Sequence, residues 1–237
     1  MHIYIPDNEN KFYSFITYPQ PFVSNRKLDN TALVVPESLS ENEVEGISRM
    51  FLYMGKDIDY STGNIEVLTD KNFSEKYHDM NLILYGTPEN NQIIKKMNSK
   101  LWFKYNKKYT SFTGNEKLYL TDPYASNISV FQFDISPYNN SKSVLVLTSP
   151  KKDLLLKSLV FLSSPNHFLK LSGDSILIDS FGNIKSFQFK KENTESTYDK
   201  LSSMDTETKT FTLFAALLLA FGIAAILLYR FKNRRFR

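Results

Sequence analysis

The side chains of this 237-residue chain that could do chemistry are few and scattered. Its three histidines, His2, His78 and His167, lie far apart, and none stands in an HxxxH or HExxH spacing, so no metal site is expected. Asp122, Asp134, Asp174 and Asp179 form no pair that fits the two-carboxylate chemistry of glycoside hydrolysis. Turn and edge roles suit them better. Ser149 and Ser172 have no evident base partner, and there is no GxSxG elbow. Gly86-Thr87-Pro88-Glu89 could offer helix N-terminal amides to an anion, but neither GxGxxG nor a GKS or GKT loop accompanies it. By elimination the chain is not expected to be an enzyme, and it is expected to hold neither metal nor cofactor. One stretch could bind rather than react. In LWFKYNKKYTSF, residues 101–112, Trp102, Tyr105 and Tyr109 interleave with lysines and could form a stacking platform for a sugar or a base. The competing reading is half-buried strands with solvated lysines.

The elements that would position these residues begin at Thr31. TALVVP reads as a buried strand. Ser40 with Glu43 fits a capping box for a helix that places Val44, Ile47, Phe51 and Met54 on one face and ends at Gly55. IEVLT (65–69) and NLILYG (81–86) follow as strands. Thr87 can cap the next helix, with Pro88 at its first position and Ile93, Ile94 and Met97 inward. SVLVLTS (143–149) is a further buried strand. Ser149 and Pro150 then repeat the capping device before KKDLLLKSLVFLSS. Short apolar strands alternating with amphipathic helices predict an α/β fold with a mostly parallel sheet covered on both faces. Residues 101–134 look irregular and β-rich. GDSILIDSFGNIKSFQF reads as a hairpin turning at Phe181-Gly182-Asn183. Residues 1–30 read as an extended leading segment, broken at Pro19 and Pro21 and left over from a preceding module. The α/β domain spans 31–190, and a polar linker spans 191–210.

Phe211 to Tyr229 is a run of 19 residues without charge. As a helix it would be roughly 28 Å long, close to the roughly 30 Å apolar core of a bilayer. Arg230, Lys232, Arg234, Arg235 and Arg237 follow at once, which favours a cytoplasmic C-terminus and an outer location for residues 1–210. Within the run, Ala216, Ala220 and Ala224 recur every four residues, a stripe that could let a second membrane helix approach; alanines are also common in spans for no such reason. The net charge of +4 comes from this tail: removing its five basic residues leaves 24 basic against 25 acidic. Nucleic-acid binding is not expected of such a chain. Without cysteine, disulfides and thiolate metal sites are excluded. The opening MHIYIPDNENKFY has no basic and apolar leader, which conflicts with an outer location and suggests the back part of a longer protein.

Taken in order, YPQPF (18–22), TALVVPESLSENEVEGISRMFLYMG, NLILYGTPENNQIIKKMN, SVLVLTSPKKDLLLKSLVFLSS and LSGDSILIDSFGNIKSF, closed by an apolar run and a basic tail, resemble the C-terminal half of the membrane-anchored B subunit of bacterial cellulose synthase. The resemblance covers roughly residues 12–235. It implies a flavodoxin-like domain in a non-catalytic subunit on the outer face of the cytoplasmic membrane. It implies a terminal helix docked on the catalytic A subunit, a multi-span processive glucosyltransferase using UDP-glucose. It places the soluble part where the β-glucan emerges, with cyclic di-GMP acting in the A subunit instead. The other reading to be weighed is a membrane-anchored carbohydrate-binding protein without a synthase partner.

Overall fold

The structure is a computed structural model that describes residues 14–24, 26–56, 58–59 and 63–190. The chain divides after Lys191, and every described residue belongs to the first unit. The apolar run 211–229 with its alanine stripe, the linker 191–210, the basic tail 230–237 and His2 all lie outside the described residues. Among the described residues no helix is long and apolar enough to cross a membrane.

The apolar runs become strands where the pattern puts them. A short antiparallel pair, β1 (Val23–Ser24) and β2 (Lys27–Leu28), precedes β3 (Thr31–Val35). Then follow α1 (Glu41–Gly55), β4 (Ile65–Thr69), β5 (Asn81–Gly86), α2 (Gln92–Met97), β6 (Ile128–Ile135) and β7 (Ser143–Thr148). The chain continues through α3 (Lys152–Ser158) and α4 (Pro165–Phe168), and closes on the hairpin β8 (Ser175–Asp179) and β9 (Ile184–Phe187). Seven strands form one sheet in the order β4-β3-β5-β7-β6-β8-β9. The first four are parallel, but β6 runs antiparallel to both β7 and β8, and β8 to β9. The sheet is therefore mixed, not mostly parallel. The part of the chain that read as irregular and β-rich supplies β6, a central strand.

Alternation along each strand sends side chains to two cores. Leu33, Val35, Ile83, Tyr85, Leu145 and Leu147 meet α1 and α3 on one face. Ala32, Val34, Leu82, Leu84, Val144 and Val146 meet α2 on the other. Over the antiparallel half, no helix among the described residues covers that second face. The excursion 101–127 does so instead, with Phe103, Tyr105, Phe112 and Leu120 against Val130 and Leu177. The leading segment, where described, packs on the first core. Phe15, Tyr18 and Phe22 lie in the first core with Phe133, and the Phe15 N–H donates to the Gly173 carbonyl at 2.7 Å.

Three helix ends differ from expectation, each for a polar reason. The capping box forms as expected, Ser40 N–H donating to Glu43 at 2.7 Å and Glu43 N–H to the Ser40 hydroxyl at 3.4 Å. The buried stripe of α1 is nevertheless Glu43, Ile47, Met50 and Met54, while Val44 is 51% exposed. The period allowed either stripe. Polar contacts of Glu43 inside the fold decide for this one. Gly55 is no left-handed cap: the helix includes it and tightens at Lys56, whose N–H reaches the Tyr53 carbonyl. Thr87 and Pro88 form a turn ahead of α2, and the cap is Asn91, which accepts from the N–H groups of Ile93 and Ile94 at 3.1 and 3.3 Å. Likewise α3 starts after Lys151. Ser149 turns its hydroxyl back to the Ile128 carbonyl at 2.9 Å, tying α3's approach to β6.

Candidate functional site

In an open α/β sheet, ligands bind beyond the carboxyl ends of the parallel strands, where connections diverge to either side. Here that point lies between β3 and β5, since β3 is flanked by β4 and β5. The chain's own side chains close it. The Asn91 amide donates to the carbonyls of Val34 and Tyr85 at 3.3 and 3.0 Å, bridging the two strands. Gly86, at φ +145°, is pressed so close that a Cβ would stand 2.8 Å from Asn90 Oδ1 and 3.2 Å from Pro36 Cγ. At the N-terminus of α1, where amides would otherwise face an anion, sits the Glu43 carboxylate, 1% exposed. It accepts from the Ser40 N–H and hydroxyl, from the Tyr85 hydroxyl at 3.2 Å and from Lys152 Nζ at 2.7 Å. Burial alone would raise the Glu43 carboxyl; the Lys152 ammonium and the Ser40 donors outweigh it and hold it below the usual range. Burial, then the Glu43 charge, push the Tyr85 hydroxyl far up.

The sequence candidates do not converge. His78 stacks on Tyr138 at 4.3 Å, and His167 meets the edge of Phe161 at 5.0 Å. Asp179 builds the hairpin turn, accepting from the N–H groups of Phe181 and Asn183, and those donors hold its carboxyl low against the effect of burial. Asp174 accepts from the N–H groups of Phe189 and Lys190 at 2.9 and 2.7 Å; burial raises its carboxyl despite them. Among the described residues no group of three His, Asp or Glu could hold a metal ion.

The three aromatics do not make one platform. Tyr105 is 4% exposed and its hydroxyl lies 2.7 Å from Thr148 Oγ1. The Thr148 hydroxyl donates to the Gly86 carbonyl, so the tyrosine is the donor in that pair. Tyr105 is a core residue, because its position alternates inward with Phe103 over β6. Tyr109 packs beside it with the Lys95 ammonium over its ring at 5.1 Å. Trp102 stands apart, stacked on Phe189 at 5.0 Å and 4°.

Trp102 does line a cavity of about 330 Å³ beside the end of β6 and the start of β7. Leu101, Val144 and Val146 give it apolar walls, and Lys100, Asn140 and the ion pair of Asp134 with Lys190 give it polar ones. Sequence reasoning found Trp102 and missed the rest. They come from four segments up to 90 positions apart, with no spacing to betray them.

Residues 12–147 match the family model of the second FD domain of cellulose synthase BcsB. The chain belongs to the BcsB family. Among curated proteins no match is found. The BcsB match begins just ahead of Phe15 and runs through Leu147, so it takes in the described part of the leading segment and the chain from β1 to nearly the end of β7. Of the cavity walls, Trp102 and Asp134 fall inside the matched BcsB residues and Lys190 outside.

Proposed function

We propose that this BcsB-family chain is a non-catalytic, membrane-anchored subunit of a bacterial cellulose synthase complex. Its folded part stands on the extracytoplasmic side, supporting the catalytic subunit and the emerging glucan. Residues 211–229 span the membrane, and 230–237 lie in the cytoplasm. The family match supports this reading, and one observation carries its non-catalytic half. The parallel strands run in the order second, first, third, fourth, which is compatible with a flavodoxin-like sheet, and the crevice beyond their carboxyl ends is filled by Asn91, Pro36 and the Glu43 carboxylate. A flavin phosphate or nucleotide would have to displace a buried, ion-paired acid. Purified full-length protein is accordingly expected to release no flavin on denaturation, and stoichiometric flavin in the supernatant would refute this.

The partner is tested through the span. In lipid, helices associate by close packing because there is no hydrophobic drive between them. In a helix over residues 211–229, Ala216, Ala220 and Ala224 would share one face. Ala220→Ile should block a helix seated there, and Leu218→Ile, which keeps bulk on another face, should not. The expected result is at least about a tenfold loss of co-purified multi-span glycosyltransferase, with parallel loss of glucan synthesis from UDP-glucose in membranes. Full retention by Ala220→Ile would show that the stripe is not the docking face. No glycosyltransferase with the unaltered protein would overturn the proposed role.

A further inference from the structure

We infer that the cavity beside β6 and β7 is a binding subsite for a short stretch of neutral β-linked glucan, with Trp102 in its wall; this deepens the accessory role proposed above and rests on it. At about 330 Å³ the cavity is at the lower end of the range used for small ligands, room for roughly one or two sugar rings. Its chemistry is two-sided, as a pyranose is. Leu101, Val144 and Val146 offer aliphatic surface to the C–H faces of a ring. Lys100, Asn140 and Asp134 offer donors and acceptors to its hydroxyl rim.

The lining argues against an anion. Phosphate sites collect free backbone amides, whereas here the N–H groups of Trp102 and Phe103 both donate to Gln132 Oε1, at 2.8 and 2.9 Å. The lining acid is already paired: Asp134 holds the Lys190 ammonium and also accepts from the Ile135 N–H. That pairing cancels two of the three charges in the lining, and the third, the Lys100 ammonium, is exposed to solvent. The wall is also well fixed. Asp174 clamps the N–H groups of Phe189 and Lys190, and the Phe189 ring backs Trp102. A rigid, preshaped wall lowers the ordering cost of binding.

Trp102 is the single tryptophan of the chain, so its fluorescence reports this place alone. The test uses the full-length protein in a detergent without a sugar headgroup, titrated with cellohexaose and, separately, with the α-linked maltohexaose. Cellohexaose should produce a saturable change in emission with a Kd of about 1 mM or tighter, and maltohexaose should bind at least about tenfold more weakly. Asn140→Phe fills the mouth from an exposed position where folding is not at stake, and should weaken the cellohexaose response by about tenfold or more. Trp102→Phe, followed by calorimetry, should weaken binding as well. A titration without saturable change, equal responses to both sugars, or a response untouched by Asn140→Phe would each overturn the subsite. Co-purification of the glycosyltransferase is independent of all three, so failure of the subsite is distinguishable from failure of the accessory role.

Discussion

Replacing Gly173 with alanine is expected to destabilise the folded protein strongly, while Gly55→Ala leaves it as stable or more so. Gly173 has φ +72°, and a Cβ there would lie 2.1 Å from the Phe187 carbonyl oxygen and 2.7 Å from its carbon. Neither atom is the movable end of a side chain. That same carbonyl accepts the Asp174 N–H at 3.0 Å, and the Gly173 carbonyl accepts from Phe15 at 2.7 Å. Relief would have to separate β8 from β9, or the leading segment from the core. The left-handed backbone alone costs alanine about 1–2 kcal/mol. With the displaced strands the total should exceed roughly 3 kcal/mol, among the larger effects of single substitutions. For a domain of this size that lowers Tm by about 6–12 °C or more. Gly55 is helical, and the nearest atom to its added Cβ is Ile58 Cδ1 at 3.9 Å, so alanine should gain about 0.5–1 kcal/mol. Thermal melts of the two variants check both signs. A Gly173→Ala protein melting within about 2 °C of the parent would show that the turn adapts.

Gly55 also shows where the sequence misleads. A glycine after an amphipathic run reads as a stop, yet nothing at this one requires a positive φ, and the helix includes it. The strands are the opposite case. TALVV, NLILYG and SVLVLT are buried on both faces, so their apolar runs are unbroken and leave little else to be. ISVFQFDI is as central as any of them, but Gln132 and Asp134 interrupt its apolar run. Gln132 is 2% exposed, because its side chain satisfies two amides of the 101–127 excursion. A polar residue that serves a distant loop carries no mark in its own neighbourhood. Asn91 is the same: its amide ties β3 and β5 together across 57 positions, while Thr87 and Pro88 nearby hold the more familiar capping signature.

The candidate site divides along the same line. Aromatics among lysines drew notice to residues 101–112, but alternation cannot say which ring has a free face. Tyr105 turns inward to Thr148, and only Trp102 reaches the cavity. Asp134 and Lys190 meet across 56 positions, so their pairing exists only once β6 and the chain end after β9 are side by side.

Glu43 is the residue for which sequence and fold give the most different weight. In the sequence it completes a capping box, a feature whose loss costs about 1 kcal/mol. In the fold it also takes the Tyr85 hydroxyl and the Lys152 ammonium while almost wholly buried. Glu43→Ala should therefore cost about 2–4 kcal/mol: the cap, a charged hydrogen bond, and a tyrosine hydroxyl left without its acceptor. The upper figures for a broken buried pair do not apply, because the Lys152 side chain is 44% exposed and water can take it back. Glu43→Gln keeps the shape and removes the charge, so it should cost less, about 1–2 kcal/mol near neutral pH. The pH dependence separates charge from shape. The folded-state carboxyl is held below its unfolded value, so its contribution is complete above the unfolded value of about 4.3 and is lost as pH falls through the lower folded value. The gap in stability between the parent and Glu43→Gln should be widest near pH 7 and narrow steadily below about pH 4. Urea titrations of both proteins across that range measure it. A gap constant with pH would mean that the glutamate acts by its shape and hydrogen bonds, and that its pairing with Lys152 contributes nothing to holding the crevice closed.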